Sequence, residues 1–387
     1  MPARPCRAHS PMRIAYVAGT ALPSRVASAV NVMSMCRAFA AAGHEVTLYA
    51  RGRQADAAAV FEAFGMPRCF ELVLRAPPHL PLAKNLLYPA LAAREMAARP
   101  APDLLYGRHA YALAAAVARS RAPFVYEAHA LPLRRARRMA ESWLFRHRRM
   151  ALMVAISRSL AEDYAARMPA LRGRAVMVAH DGADPVVDPG PSPEPWPGRP
   201  GVPQLGYVGH LYPGKGMEMV AALAEALPEC DLHAVGGTER DLAIWRQRCG
   251  GRANLHLHGH VPHARVPAYL ARFDLLLAPP SPSVASAAGR EIGRWMSPLK
   301  VFEYMAAGKP ILASDIPALR EILVDGGVAL LLPPGDAAAW AAAARALLAD
   351  PARAGALGAR ARALLLETYT WEARAARILA HLAGPLP

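Results

Sequence analysis

The sequence predicts an α/β protein with two Rossmann-like, doubly wound domains, and three patterns support this prediction. An apolar run at 12–17 is followed by a glycine-containing loop, a helical pattern at 26–42 and a second apolar run at 46–49, which together indicate a βαβ unit. The same alternation of strand and helix returns from Asp103 onward. Eight prolines then fall between positions 185 and 203, where neither a helix nor a central strand can form.

The proline-rich stretch divides the chain. We predict a first domain at 1–184, a linker at 185–203 and a second domain at 204–369. The 387 residues are enough for two sizeable cores. No apolar run approaches the roughly 18 residues needed to span a bilayer. The first eleven residues also lack the apolar core of a secretory signal, so we expect a cytoplasmic protein.

The charge balance indicates an attraction to polyanions. The net charge is +15 and the isoelectric point is near 10.1, which suits nucleic acid, an anionic membrane face or an acidic substrate. Almost all of the basic residues are arginine, and lysine occurs only at 84, 215, 300 and 309. Because the chain is also rich in alanine and proline, part of the arginine content reflects a compositional bias.

The most basic stretch is 133–150, where arginines alternate with Leu133, Met139, Trp143 and Phe145. A cationic amphipathic helix with aromatic residues on its apolar side is typical of contact with an anionic membrane, here the inner face of the cytoplasmic membrane. A helix packed on the sheet with a solvated arginine face explains the pattern equally well. No signature of an RNA-binding module accompanies it, so no nucleic-acid partner is predicted.

The stretch 297–315 predicts a loop, a helix and a strand, in an arrangement that suits a nucleotide. Ser297 is a candidate N-cap and Pro298 suits the first helical position. The free N–H groups and the positive dipole end at the start of such a helix favour a phosphate, and Lys300 adds a full charge. Glu303, one turn further, can accept hydrogen bonds from the two hydroxyls of a ribose.

A second phosphate-binding pattern opens the second domain. An apolar strand runs into a loop that contains Gly209, Lys215 and further glycines, and a helix follows. Glycines let the backbone approach a pyrophosphate, and the lysine ammonium neutralises its oxygens. The spacing differs from that of a Walker A loop because Met217 follows Gly216.

Polar residues also follow the strands of the first domain. Arg108 and His109 come after one predicted strand, and Glu127 and His129 come at the end of the next. Residues at the carboxyl ends of parallel strands point into the ligand crevice of such a sheet. His109 is expected to be a satisfied polar residue, whereas His129 is a candidate for the site.

A metal site is not predicted. His256 and His258 alternate on one strand, but no carboxylate or cysteine stands at ligand spacing from them. The five cysteines are scattered without a Cys-x-x-Cys pair, so neither a disulfide framework nor a zinc site is expected.

These motifs resemble those of the GT-B glycosyltransferases of family 4. The run from Ser297 to Asp315 is similar to the donor-site signature of the family, and the loop with Gly209, His210 and Lys215 is similar to its phosphate loop. The resemblance implies two Rossmann-like domains that face a central cleft, with a terminal helix at 370–387 that crosses back to the first domain. It also implies a hexosyl- or other glycosyltransferase that retains the anomeric configuration and needs neither a metal nor a cofactor.

The resemblance implies a role for each matching residue. Lys215, Glu303 and His129 take the main roles, on the diphosphate, the ribose and the transferred sugar respectively. The donor-binding positions are Gly209, His210, Val261, Ser297, Pro298, Leu299 and Lys300, and acceptor-side or sugar-side positions are Arg25, Arg108, Glu127 and Glu291. The expected substrates are a UDP- or GDP-type sugar and a glycan or lipid-linked acceptor, by analogy in the synthesis of bacterial surface polysaccharide such as lipopolysaccharide.

The sequence departs from the family pattern in the donor motif and in the first loop. Trp295 stands where the family has the first glutamate of a pair, with Glu291 nearby, and 24–28 replaces the common Gly-Gly of the first loop. Alternatives therefore stay open. A GT-B epimerase, a non-catalytic nucleotide-sugar-binding protein and a polyanion-binding protein are each compatible with part of the sequence.

Overall fold

The computed structural model describes residues 10–24, 26–76, 83–284 and 293–383. The chain divides into two compact units. The first unit comprises Met1–Ile156, Leu160–Ala179 and Trp371–Pro387, and the second comprises Ser157–Ser159 and His180–Thr370.

The first unit contains a seven-stranded parallel sheet. Its strands are β1 (Arg13–Ala21), β2 (Glu45–Arg51), β3 (Glu71–Arg75), β4 (Leu104–Gly107), β5 (Phe124–Ala128), β6 (Met150–Ala155) and β7 (Val176–Val178). They lie in the order β3-β2-β1-β4-β5-β6-β7. The strand order reverses between β1 and β4, which is the position where open α/β sheets place their ligand crevice.

Helices connect these strands. They are α1 (Ala27–Ala41), α2 (Ala57–Ala63), α3 (Ala83–Ala97), α4 (Ala110–Arg119), α5 (Arg135–Arg146) and α6 (Arg158–Arg167), and α14 (Trp371–Ala383) joins this unit from the end of the chain. The strands β4, β5 and β6 are buried along their whole length. Apart from Glu127 in β5, their sequences are mostly apolar, which is typical of parallel strands that are covered by helices on both faces.

The second unit contains a six-stranded parallel sheet in the order β10-β9-β8-β11-β12-β13. Its strands are β8 (Gln204–Val208), β9 (Asp231–Val235), β10 (Leu255–Gly259), β11 (Leu275–Ala278), β12 (Ile311–Ser314) and β13 (Leu330–Leu332). Its helices are α7 (Met217–Ala226), α8 (Glu239–Cys249), α9 (Val266–Arg272), α10 (Leu299–Ala307), α11 (Pro317–Arg320), α12 (Ala337–Leu348) and α13 (Pro351–Leu364). The prediction of two doubly wound α/β domains is confirmed.

The proline-rich stretch belongs to the second unit. Residues 184–203 form neither a helix nor a strand, as their prolines dictate. Trp196 packs against the hydrophobic core of the second unit and stacks on His233 with 4.5 Å between the ring centroids. This stretch is therefore packed along the surface of the second unit.

Helix α10 is held in place by a close contact with α13. Gly308 ends α10 in the left-handed conformation, with φ 66°, and its carbonyl lies directly against Gly358 in the middle of α13. A Cβ atom at position 358 would come to 2.1 Å from that carbonyl oxygen. The register of the two helices thus depends on the absence of a side chain at Gly358.

We predict that Gly358→Ala destabilises the protein by about 1–3 kcal/mol because the new methyl group must push α10 away from α13. Gly355→Ala is the matched control, since Gly355 lies in the same helix and nothing surrounds its Cβ position within 4 Å. That substitution should leave stability unchanged or raise it by up to about 1 kcal/mol. Denaturant unfolding of both variants measures the difference, and equal effects would contradict the assigned contact.

Candidate functional site

A loop of glycines connects β8 to α7. Gly209, Gly214 and Gly216 have φ values of 152°, 81° and 107°, which side-chain-bearing residues rarely adopt. The hydroxyl of Tyr207 donates to the carbonyl of His210 over 2.6 Å and so fixes the start of the loop. The loop thus presents backbone next to the beginning of α10.

The ammonium of Lys300 lies beside this loop and is buried. A Cβ atom at Gly209 would approach the Lys300 Nζ to 3.2 Å, a tight contact, and the φ of 152° at this position also disfavours a side chain. The Nζ stands 3.9 Å from the centroid of the Tyr207 ring and has no hydrogen-bond partner among the described residues. Burial, and then the charge of Lys215, holds the pKa of Lys300 well below its ordinary value.

Lys215 and His210 complete the electrostatics of the loop. Burial lowers the pKa of Lys215, whose Nζ lies 5.4 Å from the Tyr212 ring centroid. Burial, together with the nearby charges of Lys215 and Lys300, also lowers the pKa of His210, so its imidazole is neutral at physiological pH. The site therefore places two buried amines near each other, and among the described residues no carboxylate forms an ion pair with Lys300, although the charge of Glu303 acts on it. An anion stabilises such an arrangement.

The N-terminus of α10 differs from the prediction. Ser297 does not cap the helix; its Oγ accepts a hydrogen bond from the backbone N–H of Asp181 over 2.8 Å. Pro298 occupies the N-cap position, not the first helical position, and Leu299 begins the helix. No side chain caps the first turn and it contains no acidic residue. The uncapped turn still offers N–H groups and a positive dipole end.

Glu303 lies one turn further along α10 and has a partner that sequence reasoning missed. His263 Nδ1 stands 3.5 Å from Glu303 Oε1, and His263 begins a short 3-10 turn after Val261. The Glu303 side chain is 19% exposed. His263 thus places an imidazole beside this carboxylate, on the segment that follows β10.

Tyr304, next to Glu303, fixes α10 against the sheet. Its buried hydroxyl accepts from the Val208 N–H over 2.7 Å and donates to the Leu277 carbonyl over 3.2 Å. These two bonds tie α10 to β8 and β11, which lie at the switch point of the second sheet. The positions of Lys300 and Gly209 relative to each other follow from this anchor.

The first unit holds a separate polar cluster at the end of β5. Glu127 is fully buried, and its Oε1 lies 2.5 Å from His129 Nε2. Its Oε2 accepts from Arg374 Nη1 over 3.0 Å and from the Tyr106 hydroxyl. Burial alone would raise the pKa of Glu127, but Arg374 and then His129 hold it well below its ordinary value.

This geometry corrects the assignment of Glu127 to the acceptor side. A side chain with no exposed surface and three hydrogen-bonded partners supports other residues instead of meeting a ligand. His129 keeps a side chain that is 20% exposed, and Glu127 determines which ring nitrogen faces inward. Arg374, which comes from α14, was not predicted from sequence because it is distant in the chain.

Comparisons with known proteins are consistent with these features. Residues 28–187 match the family model described as Glycosyltransferase Family 4, and residues 202–350 match the one described as Glycosyl transferases group 1. Together the two models match most of the chain, which is of the family 4 glycosyltransferase type.

A curated relative of this glycosyltransferase is the phosphatidyl-myo-inositol mannosyltransferase of Mycobacterium leprae. The two proteins are 34% identical over 152 residues, which cover 36% of this chain and 37% of the relative. The chain thus matches little more than a third of the length of that protein.

Solved structures show that the glycosyltransferase has the GT-B fold. HepE of Anabaena in complex with UDP has a TM-score of 0.70 at 18% identity, with 96% of this chain and 100% of that chain covered. Sucrose-phosphate synthase of Thermosynechococcus elongatus has a TM-score of 0.71 at 21% identity, with 95% and 98% covered. A glycosyltransferase of Rickettsia africae has a TM-score of 0.72 at 14% identity, with 97% and 98% covered.

Two predicted residues of the glycosyltransferase, Arg25 and Glu291, lie outside the described residues. Trp295, at the position of the missing family glutamate, lies in a short 3-10 turn, and its carbonyl accepts from Ser157 Oγ over 3.3 Å. At this position the chain offers an indole and a backbone carbonyl engaged in a hydrogen bond, with no carboxylate.

Arg108 and His109 follow β4. Arg108 Nη1 donates to Asn31 Oδ1 of α1 over 2.8 Å. His109 accepts from the Ala112 N–H over 3.2 Å and thereby caps α4. Burial, and then Arg51, lowers the pKa of His109 to about 4, so the ring is neutral at physiological pH.

The histidines of β10 have a carboxylate beside them after all. Asp231 and His233 of the neighbouring strand β9 bring ligand atoms within 4.8 Å of one another and of His256. The expectation that no carboxylate stands near these histidines is wrong, because pairing of β9 with β10 supplies it.

Hydrogen bonds already engage most of this group. Asp231 accepts from Arg199 Nε over 2.8 Å, and His233 lies 2.6 Å from Gln204 Oε1 and 2.9 Å from His258 Nε2. Burial lowers the pKa of His233 to about 3 and that of His258 to about 4. His233 and His258 are therefore neutral at physiological pH, and both rings lie against Trp196.

We predict that Arg374→Met destabilises the protein by about 3–5 kcal/mol, because it leaves the Glu127 carboxylate buried without its compensating charge. Glu372→Gln, on the same helix, breaks the more exposed pair with Arg37 and should cost at most about 1 kcal/mol.

The double variant Glu127→Gln/Arg374→Met should recover part of the loss, since no uncompensated charge remains. Denaturant unfolding of the two single variants and the double variant measures the coupling. Additive losses would show that Glu127 and Arg374 do not act as a pair.

Proposed function

We propose that this protein is a retaining glycosyltransferase that transfers a sugar from a nucleotide-diphosphate donor to a hydroxyl of a glycan or lipid-linked acceptor. The observation that carries the proposal is the Lys300 ammonium, which is buried beside Gly209, feels the charge of Lys215 and has no hydrogen-bond partner in the part of the chain that the structure describes. A folded protein keeps such a group only where a ligand compensates its cost, and a diphosphate has the complementary charge.

The residues of this site suit the leaving group of such a reaction. When the bond to the sugar breaks, negative charge develops on the diphosphate, and Lys215, Lys300 and the uncapped N-terminus of α10 stabilise it electrostatically. Glu303, held by His263, would bind the ribose hydroxyls. His129 takes the transferred sugar by resemblance to the family, and Glu127 sets the orientation of its ring. Since these amines supply the positive charge, we propose that the transfer is metal-independent.

The donor and the acceptor are proposed from the relatives. HepE was crystallised with UDP and with UDP-glucose, and the Mycobacterium leprae relative is named as a mannosyltransferase acting with phosphatidyl-myo-inositol. By analogy with these proteins, we propose a UDP- or GDP-linked hexose as the donor and a lipid-linked acceptor. We infer a role in the synthesis of bacterial surface polysaccharide.

A non-catalytic nucleotide-sugar-binding protein is the second candidate. The observation that favours it is Trp295, because the family carries a glutamate for the transferred sugar at this position. Such a protein would bind the nucleotide through the same lysines and would not release a transferred sugar. Product analysis with a bound donor separates the two candidates.

Contact with an anionic membrane is the third part of the proposal. Leu133, Met139 and Trp143 are exposed to 71%, 72% and 43%, and Arg134 and Arg135 are exposed beside them. Cations around exposed apolar side chains are typical of a helix that lies on a lipid surface. Within the described residues, the protein has no helix long and apolar enough to cross a membrane.

Two residues of the basic stretch 133–150 do not contribute to the membrane surface that the sequence predicts. Phe145 is fully buried, so it cannot contribute to a membrane surface. Arg137 Nε donates to the buried Glu141 over 2.7 Å, so its charge is compensated inside the protein. The membrane surface is therefore the outer face of α5 and the residues just before it.

We predict that the correct nucleotide diphosphate, at about 100 times its Kd, stabilises the protein by about 2.7 kcal/mol. Lys300→Met should abolish this gain. Without nucleotide the same variant should be more stable than the wild type, because methionine fills the space without a buried charge. Thermal unfolding with a panel of UDP-, GDP- and ADP-sugars measures both effects.

Lys309→Met is the control, since Lys309 follows the same helix and is partly exposed. The nucleotide should stabilise this variant as much as it stabilises the wild type. If Lys300→Met and the wild type gain equally from every nucleotide, the diphosphate does not bind at Lys300 and the proposed donor site is wrong.

We predict that Arg134→Gln/Arg135→Gln weakens binding to phosphatidylglycerol vesicles about tenfold or more, since each basic residue near such a surface contributes about 1 kcal/mol. Trp143→Ser should weaken binding further by removing an apolar anchor. Arg240→Gln/Arg246→Gln, an equal charge change at exposed positions of α8, is the control. Vesicle co-sedimentation measures the membrane affinity of the three variants. Equal losses of affinity for both arginine pairs would mean that binding depends on net charge alone and not on this surface.

A further inference from the structure

A strip of three imidazoles and one carboxylate lies on the last two strands at one edge of the second sheet, β9 and β10. Asp231 and His233 are two residues apart in β9, and His256 and His258 are two residues apart in β10. His233 pairs directly with His256 in the parallel register. Because side chains two residues apart point to the same side of a strand, these four side chains share one face of the sheet.

The His256 imidazole has a nitrogen that no hydrogen bond satisfies. Its Nε2 is buried and has no hydrogen-bond partner among the described residues. Asp231 Oδ2 lies 3.6 Å from this nitrogen, which is too far for a hydrogen bond. Metal bonds of 2.0–2.1 Å at tetrahedral angles place two ligand atoms about 3.3 Å apart. The nitrogen and the oxygen thus stand close to the separation of two ligands on one metal ion.

The Asp231 carboxylate is fully buried and is held from one side by Arg199. Arg199 Nε donates to Oδ1 over 2.8 Å, and the Arg199 backbone N–H donates to Oδ2 over 2.5 Å. Each carboxylate oxygen has two lone pairs, so Oδ2 keeps one on the side of His256. The ion pair with Arg199 orients the carboxylate, as outer partners of metal-binding carboxylates do.

His233 offers the third ligand atom. One potential ligand atom from each of Asp231, His233 and His256 lies within 4.8 Å of the other two. His233 Nδ1 lies 2.9 Å from His258 Nε2, and His233 Nε2 lies 2.6 Å from Gln204 Oε1. When Nδ1 carries the proton and donates it to His258, Nε2 has a lone pair for a metal. A hydrogen bond from the second ring nitrogen is the usual way in which proteins fix a metal-binding histidine.

We propose that Asp231, His233 and His256 bind a divalent transition metal ion, and that this ion is zinc. Two imidazoles and one carboxylate suit zinc, whereas magnesium and calcium prefer sites made of oxygen atoms alone. The three side chains lie on paired strands, so the site needs rotation of side chains and no change of the backbone register. The Gln204 amide oxygen, beside His233 Nε2, is the candidate for a fourth ligand.

This site is separate from the proposed donor site and does not depend on the proposed transfer. Gln204 and Asp231 are the first residues of β8 and β9, whereas Gly209 follows the last residue of β8. The metal ion would therefore lie toward the opposite end of the strands from the glycine loop. It would cross-link the edge strand β10 to β9, and Asp231 would connect it to Arg199 in the proline-rich stretch. Its role is structural.

The first test measures zinc binding by the full chain after treatment with EDTA and gel filtration. Competition with a chromophoric zinc indicator should give one tightly bound zinc ion per chain. His256→Gln should weaken the affinity by more than about 100-fold, since loss of an outer partner alone costs about 10- to 100-fold. His256 Nε2 has no hydrogen bond to lose among the described residues, so this variant should fold like the wild type, and unfolding in EDTA verifies this.

His381→Gln is the matched control, since His381 is an exposed histidine near the end of α14. It should bind zinc as tightly as the wild type. An equal loss of affinity in both histidine variants would overturn the proposal, as would an unchanged affinity in His256→Gln. Wild-type zinc binding weaker than about 1 μM would also overturn it, because structural zinc is bound far more tightly. The strip would then be a hydrogen-bonded network only.

The second test replaces zinc by cobalt(II), whose visible absorption is strong in a four-coordinate site and weak for the hydrated ion. We expect the strong band in the wild type and in His381→Gln, and its loss in His256→Gln. A wild-type spectrum of the hydrated ion would overturn the proposal.

The third test follows thermal unfolding with zinc and with EDTA. Zinc should raise the unfolding temperature of the wild type and of His381→Gln but not that of His256→Gln, because a metal that binds only the folded state stabilises it. An equal rise in all three proteins would place the zinc elsewhere and overturn the proposal.

Discussion

The arrangement of the second unit around β8 and α10 depends on one buried ammonium, that of Lys300, which has no hydrogen-bond partner among the residues that the structure describes. A buried lysine without a hydrogen bond is expensive, and its neighbours are arranged around it instead of removing it. Gly209, which lies next to the ammonium, carries no side chain, and the Tyr207 ring lies against the charge. The Tyr304 hydroxyl binds α10, the helix that carries the lysine, to β8. On the proposed function, the protein loses stability at this point because it holds a cation in place for an anion that has not yet bound.

The first unit treats its buried charge in the opposite way. Glu127 is as deeply buried, but Arg374, His129 and Tyr106 satisfy it from three sides. Arg374 belongs to α14, so the pair also fastens the last helix of the chain to the end of β5. A compensated charge orients its neighbours, whereas an uncompensated one attracts a ligand. This difference separates the supporting role of Glu127 from the binding role that we propose for Lys300.

The sequence predicted the parts of the site that depend on local patterns. The strands, the glycine loop and the helix that carries Lys300 and Glu303 follow from spacing within about twenty residues, and the doubly wound fold follows from their repetition. The contacts of Ser297 with Asp181 and of Asp231 with His256 join segments that are distant in the sequence. A local pattern cannot predict which distant segments become neighbours. The N-cap prediction for Ser297 failed for this reason, since a serine hydroxyl serves whichever backbone group tertiary structure brings to it.

The choice of lysine over arginine at the proposed donor site has a physical consequence. Arginine stays protonated in any protein environment, whereas lysine can release its proton when it is buried. Burial and the charge of Lys215 lower the pKa of Lys300, so the empty site can avoid part of the cost of an isolated charge. A diphosphate beside it favours the protonated form, and by linkage its binding raises that pKa and takes up a proton. The chain has four lysines among 45 basic residues, and two of them stand where a charge must tolerate both an empty and an occupied site.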